Sequence, residues 1–371
     1  MLIGVPKEIK NLEYRVGLTP SSVRELIDHG HEVLVQKDAA EEIGFGDDFY
    51  LEAGAKIVES AEEIFAESEM IVKVKEPQPQ ETAMLREGQI LFTYLHLAPD
   101  PVQTQGLIAS GCTAVAYETV TDEFGGLPLL APMSEVAGRM SIQAGAHALE
   151  MAQGGRGTLL GGVPGVAPAK VTIIGGGVVG TNAARMAIGL GAETLILDRS
   201  VHRLQYLDDL FQGRVRVEYS TATAIETHIL TSDLVIGAVL IPGAEAPKLV
   251  TRDMIKRMPR GSVLVDVAID QGGCFETSKA TTHQHPTYNV DGVVHYCVAN
   301  MPGAVARTST LALNNSTLPY SIALANYGPK ALLTHPHLLH GLNVHQGMIT
   351  YEAVSKAQNL NYVPAEEALR F

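Results

Sequence analysis

The chain has 371 residues, too many for one ordinary hydrophobic core, so two domains are expected. At 46% hydrophobic and 18% charged it has the composition of a soluble globular protein, and no apolar run reaches the roughly 18 residues a membrane span needs. The net charge of −14 argues against nucleic acid and anionic lipid as partners and is silent about a small substrate.

The N-terminus, MLIGVPKEIK, carries neither a long apolar stretch nor a small-residue cleavage site, so a cytoplasmic location is expected. Short apolar runs follow at LIGVP (2–6), EVLVQ (32–36), AKIV (55–58), MIVKVK (70–75), QILFTYLH (89–96) and TAVAYE (113–118). Helix-like stretches separate them. One starts at Thr19-Pro20, an N-cap followed by proline in the first turn, and Gly30 can end it. Residues 134–153 are rich in helix formers, and a loop dense in Gly and Pro covers 154–169. A second alternating series runs KVTIIG (170–175), TLILD (194–198), VRVEY (215–219), LVIGAV (234–239), SVLVDVA (262–268) and HYCVAN (295–300). The stretch 303–328 reads as mainly helical, interrupted near Pro319, and the tail beyond it is expected to pack on the first domain. Cys112, Cys274 and Cys297 are odd in number and show no paired spacing, which fits reduced thiols.

Alternation of this kind means βαβ units. The expected fold class is α/β. Two doubly wound Rossmann-like domains with mostly parallel sheets are joined by two helical connectors, with a cleft between them. The boundaries drawn are a discontinuous substrate domain, 1–130 plus 306–371, and a nucleotide-binding domain, 131–305.

Gly175, Gly177 and Gly180 form GxGxxG between a strand and a helix, with a further strand ending at Asp198. The first glycine permits the tight turn, the second lets backbone approach a pyrophosphate, and the third lets helix pack on strand. Asp198 can accept hydrogen bonds from ribose hydroxyls. It would repel a 2′-phosphate by on the order of 4 kcal/mol at about 4 Å and an effective dielectric near 20. NAD is therefore expected over NADP, with the neighbouring Arg199 as the opposing feature.

In parallel sheets ligands sit beyond the carboxyl ends of strands. Lys75, His96 and Asp270 occupy such ends, and Arg15 lies in the loop after the first strand. An imidazole exchanges protons near neutral pH, and a guanidinium fork suits a carboxylate. Lys73 shares the strand with Lys75, and spacing alone does not choose between them. Asp266 and Asp270 are about 13 Å apart if the strand continues, too far to share a proton. Asp266 is expected to be satisfied by hydroxyls or backbone N–H groups. His335, His337, His340 and His345 have no cysteine or carboxylate among them, so no metal site is expected.

The segments GVPKEIKNLEYRVGLTP, VKVKEPQ, ILFTYLHLA, LPLLAPMSEVAGRM, GGRGTLLGGVPGVAPAKV, LVIGAVLIPGAEAPKLV, VLVDVAIDQGG and YCVANMPGAV together resemble bacterial L-alanine dehydrogenases, essentially over the full length. The resemblance implies an NAD domain, a discontinuous substrate domain, a hexamer, and Lys75 rather than Lys73 as the working lysine. It implies reversible deamination of L-alanine to pyruvate and ammonium. Arg15 and Lys75 would hold the substrate carboxylate with help from Asn300, and His96 and Asp270 would be the catalytic pair. Ser134, Ser220, Val239, Ile269 and Met301 would line the rest of the NAD path. The NAD-binding domain of proton-translocating transhydrogenase is similar over much of the chain, but its matching segments lack this histidine and this aspartate. A non-catalytic NAD sensor is a third reading, opposed by the complete set of Arg15, Lys75, His96 and Asp270.

Overall fold

The computed structural model describes residues 1–239 and 246–370; residues 240–245, inside the resembling segment 234–250, lie outside the described residues. The chain divides into two compact units, Met1–Met133 with Val305–Phe371, and Ser134–Ala304. It leaves the first unit within a helix, Ala131–Ala148, and returns through a 3-10 turn, Met301–Val305, that leads into the helix Ala306–Tyr327.

The strands in chain order are β1 (Leu2–Val5), β2 (Glu32–Gln36), β3 (Lys56–Val58), β4 (Met70–Val72), β5 (Ile90–Thr93), β6 (Thr113–Ala116), β7 (Lys170–Ile174) and β8 (Glu193–Asp198). They continue with β9 (Arg216–Tyr219), β10 (Leu234–Gly237), β11 (Val263–Asp266), β12 (Thr287–Val290), β13 (Val293–Tyr296), β14 (Leu342–His345) and β15 (Met348–Ile349). The first unit holds an eight-stranded sheet in the order β15-β14-β6-β5-β4-β1-β2-β3. β1 to β6 pair in parallel, and β14 and β15 extend the β6 edge antiparallel. The second unit holds seven strands in the order β12-β13-β11-β10-β7-β8-β9, parallel except for the β12–β13 hairpin.

Both orders reverse direction once. In the first unit the chain builds outward from β1 through β3, then returns to build β4 to β6 on the other side of β1. In the second unit the same reversal falls between β7 and β10. Loops diverge at such a reversal and leave a crevice at the carboxyl ends, which is where open parallel sheets bind ligands. Central strands are buried on both faces, so they read as continuous apolar runs: β4, β5, β6, β10 and β11 are buried throughout. Leu34, Phe65, Ile71, Leu91 and Leu107 pack together in one core, and Leu197, Ile225, Val235, Leu264 and Phe275 in the other.

The first crossover helix is Pro20–Asp28, capped by the Thr19 side chain, which accepts from the Ser22 N–H at 3.2 Å. Three expectations need correction. The run 262–268 is not all strand: β11 stops at Asp266, and residues Val267–Gln271 form a 3-10 turn. The run 295–300 is strand only to Tyr296, and its partner β12 was not anticipated. Pro319 does not interrupt its helix, which runs unbroken from Ala306 to Tyr327. A proline inside a helix costs about 3 kcal/mol. One face of this helix buries Leu313, Asn314, Thr317, Ser321 and Leu324, and that packing outweighs the cost.

Candidate functional site

At the reversal of the first unit, the loop after β1 carries Glu8, Glu13 and Arg15, and the segment after β4 carries Lys73 and Lys75. Arg15 is 2% exposed. Its Nε and Nη2 donate to the two carboxylate oxygens of Glu13, each at 2.7 Å, and its Nη1 points at Met133 Sδ, 3.1 Å away. Burial pulls the Arg15 pKa down, but the hydrogen bonds and charge of Glu13 more than restore it, so the fork stays charged. A buried, bidentate guanidinium is fixed in plane and direction.

The two lysines separate. Lys73 Nζ is sealed between Glu8 Oε2 at 3.0 Å and Glu81 Oε1 at 2.7 Å, with its side chain 0% exposed. Burial opposes its charge, and the two carboxylates hold its pKa above the ordinary value. Glu8 Oε1 also accepts the N–H of Val74 at 2.7 Å and of Lys75 at 3.3 Å, which pins the strand extension. Lys75 has a partly buried side chain, with Nζ 4.0 Å from Glu76 Oε2. Of the two, Lys75 is the less enclosed, its side chain 14% exposed against 0% for Lys73.

His96 lies three residues past β5 and is exposed. Its backbone is left-handed, φ 51°, a region uncommon outside glycine, although histidine enters it more often than most side chains. Its imidazole stacks on the Tyr94 ring, with centroids 6.1 Å apart and an interplanar angle of 15°. Tyr94 is itself buried, donates its hydroxyl to Leu129 O, and meets the Tyr117 ring edge to face at 5.0 Å. Burial pushes the Tyr94 phenol far up, so it stays protonated.

The second unit builds its reversal from backbone. Gly175 has φ 105°, and a Cβ there would lie 2.4 Å from Ala238 O on the neighbouring strand end. A Cβ on Gly180 would meet Gly175 O at 1.9 Å, so helix 178–189 can approach β7 only with glycine there. A Cβ on Gly177 would meet nothing within 4 Å. That space lies at the helix N-terminus, where N–H groups and the helix dipole suit a pyrophosphate. Asp198 Oδ2 accepts the Gly176 N–H at 2.7 Å, and Oδ1 accepts the Ser200 N–H at 2.8 Å. A carboxylate offers about four acceptor positions, so these two bonds leave capacity for ribose hydroxyls. Arg203, unremarked in the sequence, donates to Gly176 O at 2.5 Å and Thr181 Oγ1 at 2.7 Å, tying the helix Val201–Phe211 to the loop. Arg199 is exposed.

Asp266 is fully buried. It accepts from Ala268 N at 3.1 Å, Cys274 N at 2.9 Å and Ser278 Oγ at 2.5 Å. Burial raises its pKa against these bonds. Asp266 thus caps the 3-10 turn that presents Asp270, exposed, and Ile269, 7% exposed. The two aspartates have distinct surroundings, one sealed and one at the mouth. Ser220 N–H donates to Asp198 O at 2.9 Å. Val239 packs half-buried on the core, Met301 is buried, and Ser134 is half-buried in the helix Ala131–Ala148. Asn300 is left-handed, φ 60°, and its carbonyl accepts from Gly303 N at 2.9 Å and His283 Nε2 at 3.1 Å.

The C-terminal histidines have local partners. His345 Nδ1 meets Thr113 Oγ1 at 2.9 Å, and His337 and His340 both meet Thr121 Oγ1, at 3.1 and 2.8 Å. Among the described residues no three His, Cys, Asp or Glu side chains are grouped to hold a metal ion. The three cysteines are buried and unbridged. Sequence reasoning passed over Glu13, Glu118 and Arg203. Glu13 had a signal, a carboxylate two residues from Arg15 in NLEYRVG; Glu118 acts on a segment 22 residues away and had none.

Residues 4–137 match the family description "Alanine dehydrogenase/PNT, N-terminal domain" and residues 141–352 match "Alanine dehydrogenase/PNT, C-terminal domain". The chain is 64% identical over 366 residues to the alanine dehydrogenase of Halomonas elongata, covering 98% of this chain and 99% of that one. A solved L-alanine dehydrogenase superposes with a TM-score of 0.94 at 56% identity, over 96% of this chain and 99% of that one. The solved transhydrogenase from Sinorhizobium meliloti gives 0.81 at 24% identity, over 95% and 100%, a likeness of fold alone. Matches that run through both units at this identity have one meaning: the chain belongs to the alanine dehydrogenase/PNT family.

Proposed function

We propose that this protein is an L-alanine dehydrogenase: L-alanine, NAD⁺ and water give, reversibly, pyruvate, ammonium, NADH and a proton. The observation that carries this reading is the set on neighbouring carboxyl ends of the first unit: a buried, oriented guanidinium, a half-buried lysine and an exposed histidine. They are the groups needed to hold a small carboxylate and move a proton beside it.

The residues of the second unit fit NAD. Gly175, Gly177 and Gly180 would take the pyrophosphate, and Asp198 the ribose, while Ser134, Ser220, Val239, Ile269 and Met301 would line the remainder. The open space beyond Gly177 supports this fit. The Asp198 carboxylate favours NAD over NADP by repelling a 2′-phosphate. When bound, the nicotinamide supplies the hydride acceptor for the alanine Cα.

Arg15 and Lys75 bind the substrate carboxylate, Arg15 as a fixed fork and Lys75 as a mobile charge. Asn300 adds a hydrogen bond. Once the substrate ammonium has released one proton to solvent, loss of hydride from Cα leaves an iminium ion, and water adds to its carbon. His96 accepts the proton of that water and returns one to the leaving nitrogen as the carbinolamine collapses. Lys75 stabilises the developing oxygen charge, and Asp270 orients the water and steadies cationic nitrogen.

We further assign the protein to the cytoplasm as a homo-hexamer, on the resemblance and on its unpaired cysteines. The deciding assay is NAD reduction dependent on L-alanine, run beside hydride exchange between nucleotides. Alanine-dependent NADH formation is expected. Exchange between nucleotides without it would replace this reading with transhydrogenase, and tight NAD binding with neither activity would make the protein a sensor.

A further inference from the structure

The backbone of His96 poses a question the reaction does not answer: what holds a histidine in the left-handed region? β5 and β6 pair with Thr93 beside Ala116, so the residues that follow them run side by side. Glu118 lies in the 3-10 turn Tyr117–Thr119, directly after β6. Its Oε1 accepts the His96 N–H at 2.7 Å and the Leu95 N–H at 3.2 Å, and its Oε2 also meets the Leu95 N–H at 3.2 Å. Two consecutive N–H groups held by one carboxylate form a small anion-binding nest, which fixes the peptide planes on either side of Leu95. The carboxylate thus anchors the chain at the peptide that enters His96, immediately before its left-handed φ of 51°.

We infer that Glu118 is a positioning residue for the proton-transferring imidazole: its carboxylate holds the Leu95–His96 nest, and the nest aims the His96 ring along Tyr94. Without the carboxylate, His96 relaxes toward an extended backbone, which turns its Cβ and ring away from the Tyr94 face. This inference rests on the reading that His96 exchanges protons with the substrate. Glu118 itself does not touch the substrate, so its loss should appear in kcat and leave KM for L-alanine, set by Arg15 and Lys75, nearly unchanged.

The test is a double-mutant cycle on the full chain. It measures kcat and KM for L-alanine in the wild type, Glu118→Ala, Glu118→Gln, His96→Ala and the double variant Glu118→Ala/His96→Ala, with NADH binding followed by fluorescence. Displacing a reacting group by about 1 Å can cost about 10²-fold, so Glu118→Ala should lower kcat by about 10- to 100-fold. Glu118→Gln, which keeps an acceptor oxygen, should lose less. NADH affinity should not move, and in the His96→Ala background the Glu118 change should cost less than about twofold, because nothing is left to aim. Glu118→Ala at half of wild-type kcat or more would overturn the inference. So would an equal loss with and without His96. If Glu118→Ala does not fold, the cycle is run with Glu118→Gln under the same two criteria. Normal turnover in His96→Ala would sink the proton-transfer reading itself and this proposal with it, a result distinct from either failure of Glu118.

Discussion

The two units solve the same topological problem with different materials. Each has a parallel sheet whose strand order reverses once, and each sets its candidate residues on the carboxyl ends beside that reversal. The first unit holds them with charged side chains: Glu13 fixes Arg15, Glu8 and Glu81 absorb Lys73, and Glu118 grips the backbone of His96. The second works through backbone: Gly175 and Gly180 bring helix, strand and loop together, Gly177 leaves open space at the helix start, and a carboxylate collects two N–H groups. The ligands proposed for the two units would account for the difference. A small amino acid offers one carboxylate and one nitrogen, and only directed side-chain groups can grasp them. A dinucleotide is long and doubly anionic, so close main-chain approach serves better. The lesson is that substitutions should injure the units differently, through buried charge in one and steric access in the other.

The largest effect tests the buried charges. Glu13→Ala strands a buried guanidinium, and breaking a buried ion pair on one side costs about 3–5 kcal/mol. Urea unfolding of the first unit should move to clearly lower concentration; an unchanged midpoint would show that Arg15 does not depend on Glu13. Next comes His96→Ala, expected to lower kcat by about 10²-fold or more if the imidazole is the general acid and base. Near-normal turnover removes it from the mechanism.

The glycines sharpen the comparison. Gly180→Ala forces a Cβ against a carbonyl at 1.9 Å and should lower thermal stability, with overpacking worth about 1–3 kcal/mol. Gly177→Ala meets open space, so it should leave Tm in place and weaken NAD instead. Equal losses of Tm in both variants would mean the space beyond Gly177 is not reserved for a ligand. The smallest effect is expected of Asp198→Ala, a several-fold rise in KM for NAD with relaxed rejection of NADP. An unchanged ratio of the two cofactors clears Asp198 of that duty.

Much of the architecture was legible before any coordinates. The glycine spacing around Gly175, the periodic apolar runs and the Thr19-Pro20 cap all follow from local chemistry, and the segments around Arg15, His96 and Asp270 carried the resemblance. Local chemistry also misled. Pro319 reads as a break, and 262–268 reads as one strand, because neither the packing of a helix face nor the capping reach of Asp266 is visible in a window of neighbours. The hairpin β14–β15 was missed because its strands are short and gain stability only by adding to the β6 edge.

By itself, then, the order of residues determined what is periodic or contiguous: strand and helix alternation, the phosphate-type loop and the family. Tertiary structure alone decided which lysine two carboxylates seal, which hydroxyl and N–H groups satisfy Asp266, and what anchors the backbone at a left-handed histidine. The physical reason is the same in each case. The deciding partners, Glu8 and Glu81 for Lys73, Ser278 for Asp266, Glu118 for His96, come from chain segments 8 to 65 residues away, and only folding brings their charges within hydrogen-bond reach.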